Sequence, residues 1–413
     1  MNEACPRRTE AGIVAVLCLI IGLMGFDQVG FNILMTFIKP DLHLSNTQVG
    51  LLVSAYWVGF TASTYATSLL AETTGKRKLF LLITLLLFSF CSITPSYAHS
   101  FLPLLSARAA MGLLAGPMLP IAQSIIALES SSERRGINMG LVGNMGGTIL
   151  GLFVAPLLLV KLATTYGWRT GFLVIPAPGL LSASLLALFV REPRSRMNTN
   201  ATPPQAGRLA EVLGFRNVYL CALLCVCYLA YGNIGSTFLP MFYVNVKQFT
   251  AHEMSFMMGP VLGMSFALFS VLLPAASDRV GRRPVMVLAA LLGILFPLVV
   301  IYFTGSILVL AVLVGISSAL EATSSIFTAT IPSETVPPRS ISTAMGLVIA
   351  VGTIGGGFVG PAVAGLSADH WGLRTALILQ AGCAAAAALA AAGLRETAPR
   401  KVHDPTAELA SAQ

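Results

Sequence analysis

Three ionisable side chains stand inside segments that are otherwise apolar and long enough to cross a membrane: Asp27, Arg108 and Glu321. A charge at the middle of a membrane helix costs roughly 2.5 to 3.5 kcal/mol on insertion scales, so it usually faces a partner or an aqueous cavity. Carboxylates in such places can bind and release protons, and an arginine can hold a carboxylate. We interpret these three side chains as proton-coupling residues.

Asp27 and Arg108 are expected at similar depth. Asp27 comes 11 residues before Ile38 and Arg108 comes 7 residues after Phe101, where the two predicted spans end on the same side. At ~1.5 Å of rise per residue the two positions agree within about one helical turn. The sequence therefore predicts an ion pair that protonation of the acid would cancel, which would make a proton switch. The alternative is a permanent pair that fixes helix packing.

Glu321 lies in a stripe of small polar side chains at helical spacing, on a helix that is otherwise apolar. Such a stripe is expected to face water or substrate. The alternative is that the hydroxyl groups bond to their own helix and that Glu321 pairs with a neighbour. The other members of the stripe are Ser317, Ser318, Ser324, Ser325 and Thr328.

Further polar side chains inside the predicted spans are candidates for substrate binding, although each could instead bond one helix to another. The predicted substrate-binding residues are Gln28, Asn32, Tyr56, Asn144, Tyr228, Tyr231, Asn233, Ser317, Ser318 and Ser324. All five histidines fall at span ends or in loops, so carboxylates are expected to handle protons. No nucleophile and base, and no set of metal ligands, is evident. We therefore predict no enzyme, no catalytic residue, no cofactor and no metal site.

These residues must be positioned by membrane helices. Of the 413 residues, 55% are hydrophobic and 10% are charged, and apolar runs of about 20 residues recur along the chain. The runs are continuous rather than alternating, which favours helices over a barrel. We predict an all-α polytopic membrane protein with 12 transmembrane helices in two pseudo-symmetric six-helix bundles. The predicted spans are 11–38, 47–71, 78–97, 101–128, 134–160, 168–191, 216–246, 252–276, 283–303, 306–330, 339–366 and 371–394.

The chain is predicted to be an internal duplication. A shift of 206 positions aligns Glu72 with Asp278, and likewise Gly75 with Gly281. Because the two halves of the sequence match at several separated positions under one shift, we infer a repeated six-helix unit. The predicted domains are an N-terminal bundle at 1–191, a linker at 192–215, a C-terminal bundle at 216–394 and a tail at 395–413.

The net charge of +8 reflects topology. Of the 25 Lys and Arg residues, 19 fall on the predicted side of the N-terminus, 5 fall on the other side, and Arg108 lies within a span. This bias predicts that both termini are cytoplasmic in a multi-pass plasma-membrane protein, the inner membrane in a bacterium. The bilayer, protons and a small-molecule substrate are the expected partners, with no nucleic acid, and we expect a monomer.

The stretches Ser68 to Lys78 and Pro274 to Pro284 resemble the signature that the major facilitator superfamily carries after its second and eighth helices. Arg108 with Gly112 is similar to the fourth-helix motif of that family. Ser68 and Pro274 replace the usual opening glycine, and Glu72 replaces an aspartate. The resemblance implies a 12-helix transporter whose first, fourth, seventh and tenth helices line the path. It also implies gating roles for Glu72, Lys76, Arg77, Asp278, Arg282 and Arg283. The alternative is that these charges only determine the membrane topology.

Two glycine series are spaced by four and are predicted to line one face of the fifth and of the eleventh helix. They are Gly143, Gly147 and Gly151, and Gly352, Gly356, Gly360 and Gly365. The fifth helix resembles the antiporter motif of the superfamily only in part, because Leu152 and Ala155 stand where the motif has proline and glycine. This departure favours uptake over export.

The chain resembles the anion:cation symporters, which carry organic anions with protons. Those relatives have an arginine where this chain has Gln28 and a glutamate where it has Ala115, and Ala115 plus 206 is Glu321. We therefore predict proton-coupled symport of a small organic solute, such as a monocarboxylate or an aromatic or sugar acid. The alternatives are a proton-driven exporter of drugs or amphipathic cations, and a non-transporting sensor.

Overall fold

A computed structural model of the chain describes residues 7–131, 134–190, 192 and 211–398, and these residues form helices without a strand. Twelve long helical segments coincide with the twelve predicted spans to within a few residues, which confirms the all-α polytopic fold. The segments are α1 (Arg7–Asp41), α2 (Asn46–Thr73), α3 (Arg77–Tyr97), α4 (Phe101–Glu129), α5 (Arg135–Tyr166), α6 (Trp168–Phe189), α7 (Arg216–Asn245), α8 (Ala251–Val280), α9 (Arg282–Tyr302), α10 (Ile307–Thr335), α11 (Ile341–Trp371) and α12 (Leu373–Ala392). Eleven are apolar enough to cross a membrane by length and composition, and the 28-residue α2 is the twelfth.

The described chain packs as two compact units. Of the described residues, the first contains those up to 192 together with 236–263 and 361–373, and the second contains 211–235, 264–360 and 374–398. Helices α7, α8 and α11 therefore contribute to both units. Most of the predicted linker and tail lies outside the described residues, so the predicted domain boundaries stay a prediction.

Three helices begin where a carboxylate from a distant part of the chain accepts their first backbone N–H groups. An acid at a helix start satisfies donors that have no partner within the helix, and it interacts favourably with the helix dipole. The acceptors and their donors, at 2.7 to 3.3 Å, are Glu192 with Lys78 and Leu79, Glu396 with Arg282 and Arg283, and Asp369 with Asn46 and Thr47. Because Glu192 and Glu396 act on α3 and α9, the caps recur in both sequence halves.

The glycine face predicted for α5, where residues 141–145 and 147–154 wind as π-helix, is wrong. Of its three members, Gly151 alone has a Cβ position that lies against α1. Gly146 and Gly151 approach α1 instead: an added Cβ would lie 2.0 Å from the Cys18 carbonyl oxygen and 2.8 Å from Gly25. The Cβ position of Gly147 meets nothing within 4 Å.

The α11 series is confirmed over its first three members. Added Cβ atoms at Gly352, Gly356 and Gly360 would lie 2.2, 2.2 and 2.8 Å from atoms of α7. Small residues therefore bring α7 and α11 together within the second unit.

Glu396→Gln tests the cap on α9. Burial raises the pKa of Glu396, but hydrogen bonds from the backbone N–H groups of Ala398, Arg282, Arg283 and Thr397 outweigh it, so the pKa lies below its ordinary value of 4.5. The charged form stabilises the fold, so its contribution is complete above pH 4.5 and is lost as the pH falls through the lowered pKa. We expect the variant to unfold at a lower temperature at pH 7, with a loss of about 0.5 to 2 kcal/mol, and to converge with the unsubstituted protein in acid. Thermal unfolding of the purified protein between pH 3 and 7 measures this, and a pH-independent difference would contradict the cap. Glu192→Gln at pH 7 tests the corresponding cap on α3.

Candidate functional site

A buried ion pair joins α1 to α4 in the first unit. The Arg108 Nη1 lies 3.1 Å from the Asp27 Oδ2, and the two side chains are 1% and 0% exposed. In a pair this far from water, the attraction between the charges offsets the cost of desolvation only if the geometry is good. Removing one partner leaves the other charge buried and uncompensated. The pair expected from the matching depths is therefore present in the structure. Its role in proton coupling is a matter of proposal.

Two aromatic rings complete the surroundings of this pair. The Arg108 guanidinium carbon lies 3.9 Å from the ring centroid of Phe31 and 4.6 Å from that of Tyr56. Phe31 follows Asp27 by one helical turn on α1, so both face Arg108. Tyr56 was predicted from the sequence, whereas Phe31 was missed, because an apolar residue in an apolar helix carries no signal of its own.

Close packing of α2 on α4 places Tyr56 beside Arg108. A Cβ added at Gly112, one turn after Arg108, would lie 2.0 Å from the Tyr56 carbonyl oxygen. A Cβ added at Gly59 would lie 2.4 Å from the Ala109 carbonyl oxygen. Because glycine has no side chain, the two backbones can approach this closely. Gly112, the glycine of the fourth-helix motif, therefore allows α2 to approach α4 closely enough for Tyr56 to lie beside Arg108.

A polar contact lies further along α1 in the same unit. The Asn32 Nδ2 donates to the Ser236 Oγ on α7 at 2.9 Å, and Asn32 is 1% exposed. The adjacent Thr237 is fully buried, and its hydroxyl has no hydrogen-bond partner among the described residues. Gln28 is half-buried, and the side chain of Asn144 lies outside the described residues. Of the predicted substrate-binding residues on α1, Asn32 thus lies in a buried polar environment.

The helix around Glu321 in the second unit is distorted. Residues Ser318–Thr323 form a 3-10 helix and Ile326–Thr330 form a π-helix, and such departures within helices are frequent at functional sites. The Tyr228 hydroxyl on α7 donates to the backbone carbonyl of Glu321 at 2.9 Å. Thus a tyrosine predicted from the sequence contacts the backbone of the predicted acid.

The stripe around Glu321 does not present all its hydroxyl groups to one side. The Ser317 and Ser318 hydroxyls donate to the carbonyls of Leu313 and Gly315 in their own helix, at 2.7 and 2.9 Å, and both residues are buried. Ser324 is half-buried, and its carbonyl accepts from Thr328. Bonding of serine to its own helix, the alternative considered above, therefore describes part of the stripe.

A second buried polar contact in this unit joins α7 to α12. The Gln380 Nε2 donates to the Tyr231 carbonyl at 3.2 Å, and both side chains are fully buried. The Tyr231 hydroxyl and the Gln380 Oε1 have no hydrogen-bond partner among the described residues. Asn233 donates to the Leu229 carbonyl of its own helix at 2.7 Å. Gln380 was missed, although a polar residue inside the apolar α12 was a signal that could have found it.

The predicted gating residues lie on either side of two similar turns. Gly75 and Gly281 have φ angles of +69° and +120°, which favour glycine, and each precedes a basic cluster. In the second cluster Arg282 is buried and pairs with Asp278 and, at 2.8 Å, with Glu334, whereas the Arg283 side chain is exposed. In the first cluster Arg77 is buried and Lys76 is exposed, and the side chain of Glu72 lies outside the described residues.

A separate cavity of about 470 Å³ lies between α1 and α5 and is lined mainly by apolar side chains. At its polar edge the buried Glu10 accepts from Asn138 at 2.7 Å and pairs with Arg134 at 3.1 Å. None of the predicted substrate-binding residues described in the structure lines this cavity. Leu19 is the lining residue of α1 that is nearest in sequence to Asp27, about 12 Å before it along the helix, and neither Asp27 nor Arg108 lines the cavity.

Twelve membrane-length helices with charges buried at mid-helix define a multi-pass membrane transporter. The chain belongs to the Major Facilitator Superfamily, whose family model matches residues 17–276 and 261–412. Members and relatives are transporters, which confirms that the chain is not an enzyme.

Two curated relatives align along most of the chain. The probable 4-methylmuconolactone transporter of Cupriavidus pinatubonensis is 28% identical over 375 residues, which are 86% of this chain and 83% of that protein. The cis,cis-muconate transport protein of Acinetobacter baylyi is 25% identical over 376 residues, 87% of each chain. Both names describe transporters of organic acids.

Solved structures show the same fold. A bacterial homologue of the human lysosomal transporter Spinster, in an inward-facing and occupied conformation, matches with a TM-score of 0.78 at 19% identity, over 94% of this chain and 97% of that one. A D-xylose–proton symporter matches with a TM-score of 0.76 at 19% identity, over 95% and 99% of the two chains.

Gly112→Ala tests the packing that places Tyr56. The added methyl group would overlap the Tyr56 carbonyl oxygen, so α2 and α4 must separate at a cost of about 1 to 3 kcal/mol. We expect a lower unfolding temperature of the purified protein in detergent. Gly147→Ala is the matched control, because its added Cβ meets nothing within 4 Å, and it should be neutral or slightly stabilising. Equal effects at the two positions would contradict the close approach.

Proposed function

We propose that this transporter imports a small organic acid, with one carboxylate, together with protons. The observation that carries the proposal is the Asp27–Arg108 ion pair, buried at 0% and 1% exposure between α1 and α4. Asp27 is the proton-binding residue in this proposal and Arg108 is the residue that binds the substrate carboxylate. Glu321 is the candidate for a second proton-binding residue.

Competition for Arg108 couples the two ligands. When Asp27 takes up a proton, the guanidinium loses its counter-ion and can bind a carboxylate from the substrate. When the substrate carboxylate occupies Arg108, it repels a charged Asp27 and so favours the protonated form. Each ligand therefore raises the affinity for the other by the same factor, as linkage requires.

The names of the relatives support an organic acid. One is named for 4-methylmuconolactone and the other for cis,cis-muconate. The first of these compounds carries a single carboxylate beside a lactone ring, which suits one arginine. We take 4-methylmuconolactone as the first probe of this chain.

Residues around the two sites have proposed roles in substrate binding and gating. Asn32 and Tyr56 in the first unit, and Tyr228 and Tyr231 in the second, are buried or half-buried polar groups that can contact substrate. The clusters at the turns before α3 and α9 act as gates in this proposal. In this proposal the protein works as a monomer in the plasma membrane. The charge bias supports a cytoplasmic position for both termini.

Asp27→Asn tests the proton switch. We expect the variant to lose accumulation driven by a pH gradient, because the amide cannot bind and release the coupling proton, while substrate exchange at equal pH stays measurable. Radiolabelled 4-methylmuconolactone in proteoliposomes measures both activities, and Glu321→Gln is assayed in parallel. Unchanged accumulation in Asp27→Asn, with loss in Glu321→Gln, would assign coupling to Glu321 instead.

The direction of transport is tested with oriented membrane vesicles. In right-side-out vesicles an acidic exterior should drive accumulation of 4-methylmuconolactone, because import follows inward proton flow. A protonophore, as control, should abolish the accumulation. Accumulation that requires proton flow in the opposite sense would show an exporter and refute symport.

A further inference from the structure

Arg108 is enclosed by aromatic rings as well as by its acidic partner. Phe31 and Tyr56 lie with their ring centroids 3.9 and 4.6 Å from the guanidinium carbon, and both are at most 1% exposed. The face of an aromatic ring carries negative potential and attracts a cation within about 6 Å, most strongly where water is excluded. The rings therefore stabilise the charged guanidinium independently of Asp27.

Other aromatic side chains hold the two rings. The Phe31 ring packs against that of Phe172 with centroids 6.1 Å apart, and the Tyr56 ring packs against those of Trp57 and Phe60 at 5.9 and 6.3 Å. The orientation of both rings is thereby fixed without help from Arg108. A ring that is held by its neighbours stays in place when the ion pair breaks.

Hydrogen-bonding capacity beside the pair is unused within the described residues. Asp27 pairs through Oδ2, and the Asp27 Oδ1, the Arg108 Nε and the Tyr56 Oη have no hydrogen-bond partner there. A buried polar atom without a partner is costly, so a cluster of such atoms points to a ligand. Arg108 Nε and the Tyr56 hydroxyl can each donate to a carboxylate oxygen.

We propose that Phe31 and Tyr56 are positioning residues that hold the Arg108 guanidinium in place once Asp27 is neutral, and that they so preserve a binding site for one carboxylate group. The inference rests on the proposed function. Without the rings, an arginine that has lost its counter-ion would be a buried charge without compensation. With them, the cation keeps its position between α1 and α2, ready for the incoming anion.

A double-mutant cycle tests the ring without any substrate. Phe31→Leu removes the ring and keeps an apolar side chain, and it is compared in the Asp27 and Asp27→Asn backgrounds by thermal unfolding of the purified full chain. Phe296→Leu is the matched control, because it removes a buried ring in the second unit, which contains neither member of the pair. We expect Phe31→Leu to lower the unfolding temperature more when Asp27 is neutral, and Phe296→Leu to have the same effect in both backgrounds. Phe31→Trp keeps an aromatic face, so its effect on the unfolding temperature should also be the same in both backgrounds.

Binding provides the second measurement. For 4-methylmuconolactone we expect Phe31→Leu to weaken binding about tenfold, with unchanged binding of its neutral carboxamide and recovery in Phe31→Trp. If the unsubstituted protein does not distinguish the acid from the amide, the proposed function fails and the unfolding cycle alone decides on the rings. Equal effects of Phe31→Leu in the two backgrounds would overturn the inference.

Discussion

The buried pair of Asp27 and Arg108 is the interaction on which the rest of the site depends. Removing two charges from water is expensive, and the cost is offset only when the partners are held in good geometry. Here the geometry is supplied by three helices: α1 carries the acid and the Phe31 ring, α4 carries the arginine, and α2 brings the Tyr56 ring. The close contact between α2 and α4 requires glycine at position 112, because a larger residue there would push the Tyr56 ring away. The packing of these three helices therefore keeps one cation stable out of water.

In the second unit the surroundings of Glu321 differ from those of Asp27. Glu321 stands on a helix that changes from 3-10 to π winding around it, and a tyrosine hydroxyl bonds to its carbonyl oxygen. At the equivalent position of α4 stands Ala115, which is fully buried next to Gly116, whose Cβ would meet the Phe60 carbonyl oxygen at 2.4 Å. The duplicated helices have thus diverged, one toward close packing around a cation and the other toward an irregular backbone around an acid.

The sequence predicted the helices and the meeting of Asp27 with Arg108 for physical reasons. Hydrophobic length is dictated by the bilayer, and the constant rise of a helix turns residue number into depth. The contacts that were missed depend on the fold in three dimensions. The caps formed by Glu192, Glu396 and Asp369 join residues more than a hundred positions apart, and the Phe31 ring is one apolar side chain among many. The glycine face predicted for α5 was wrong because the spacing of glycines does not show which of them meets another helix.

Charge balance explains why the proposed substrate carries one carboxylate. Arg108 is the one Lys or Arg at the middle of a predicted span, so it is the positive charge that the described first unit buries at mid-helix, whereas the buried Arg77 lies at the start of α3. With Asp27 protonated, one carboxylate neutralises that charge, whereas a second carboxylate at the same place would be buried without a partner. With Asp27 charged, the site is already neutral and an added anion is repelled. In the proposed mechanism the same cation therefore sets the number of carboxylates and makes their binding depend on a proton, while the rings of Phe31 and Tyr56 hold the cation in place as one anion replaces the other.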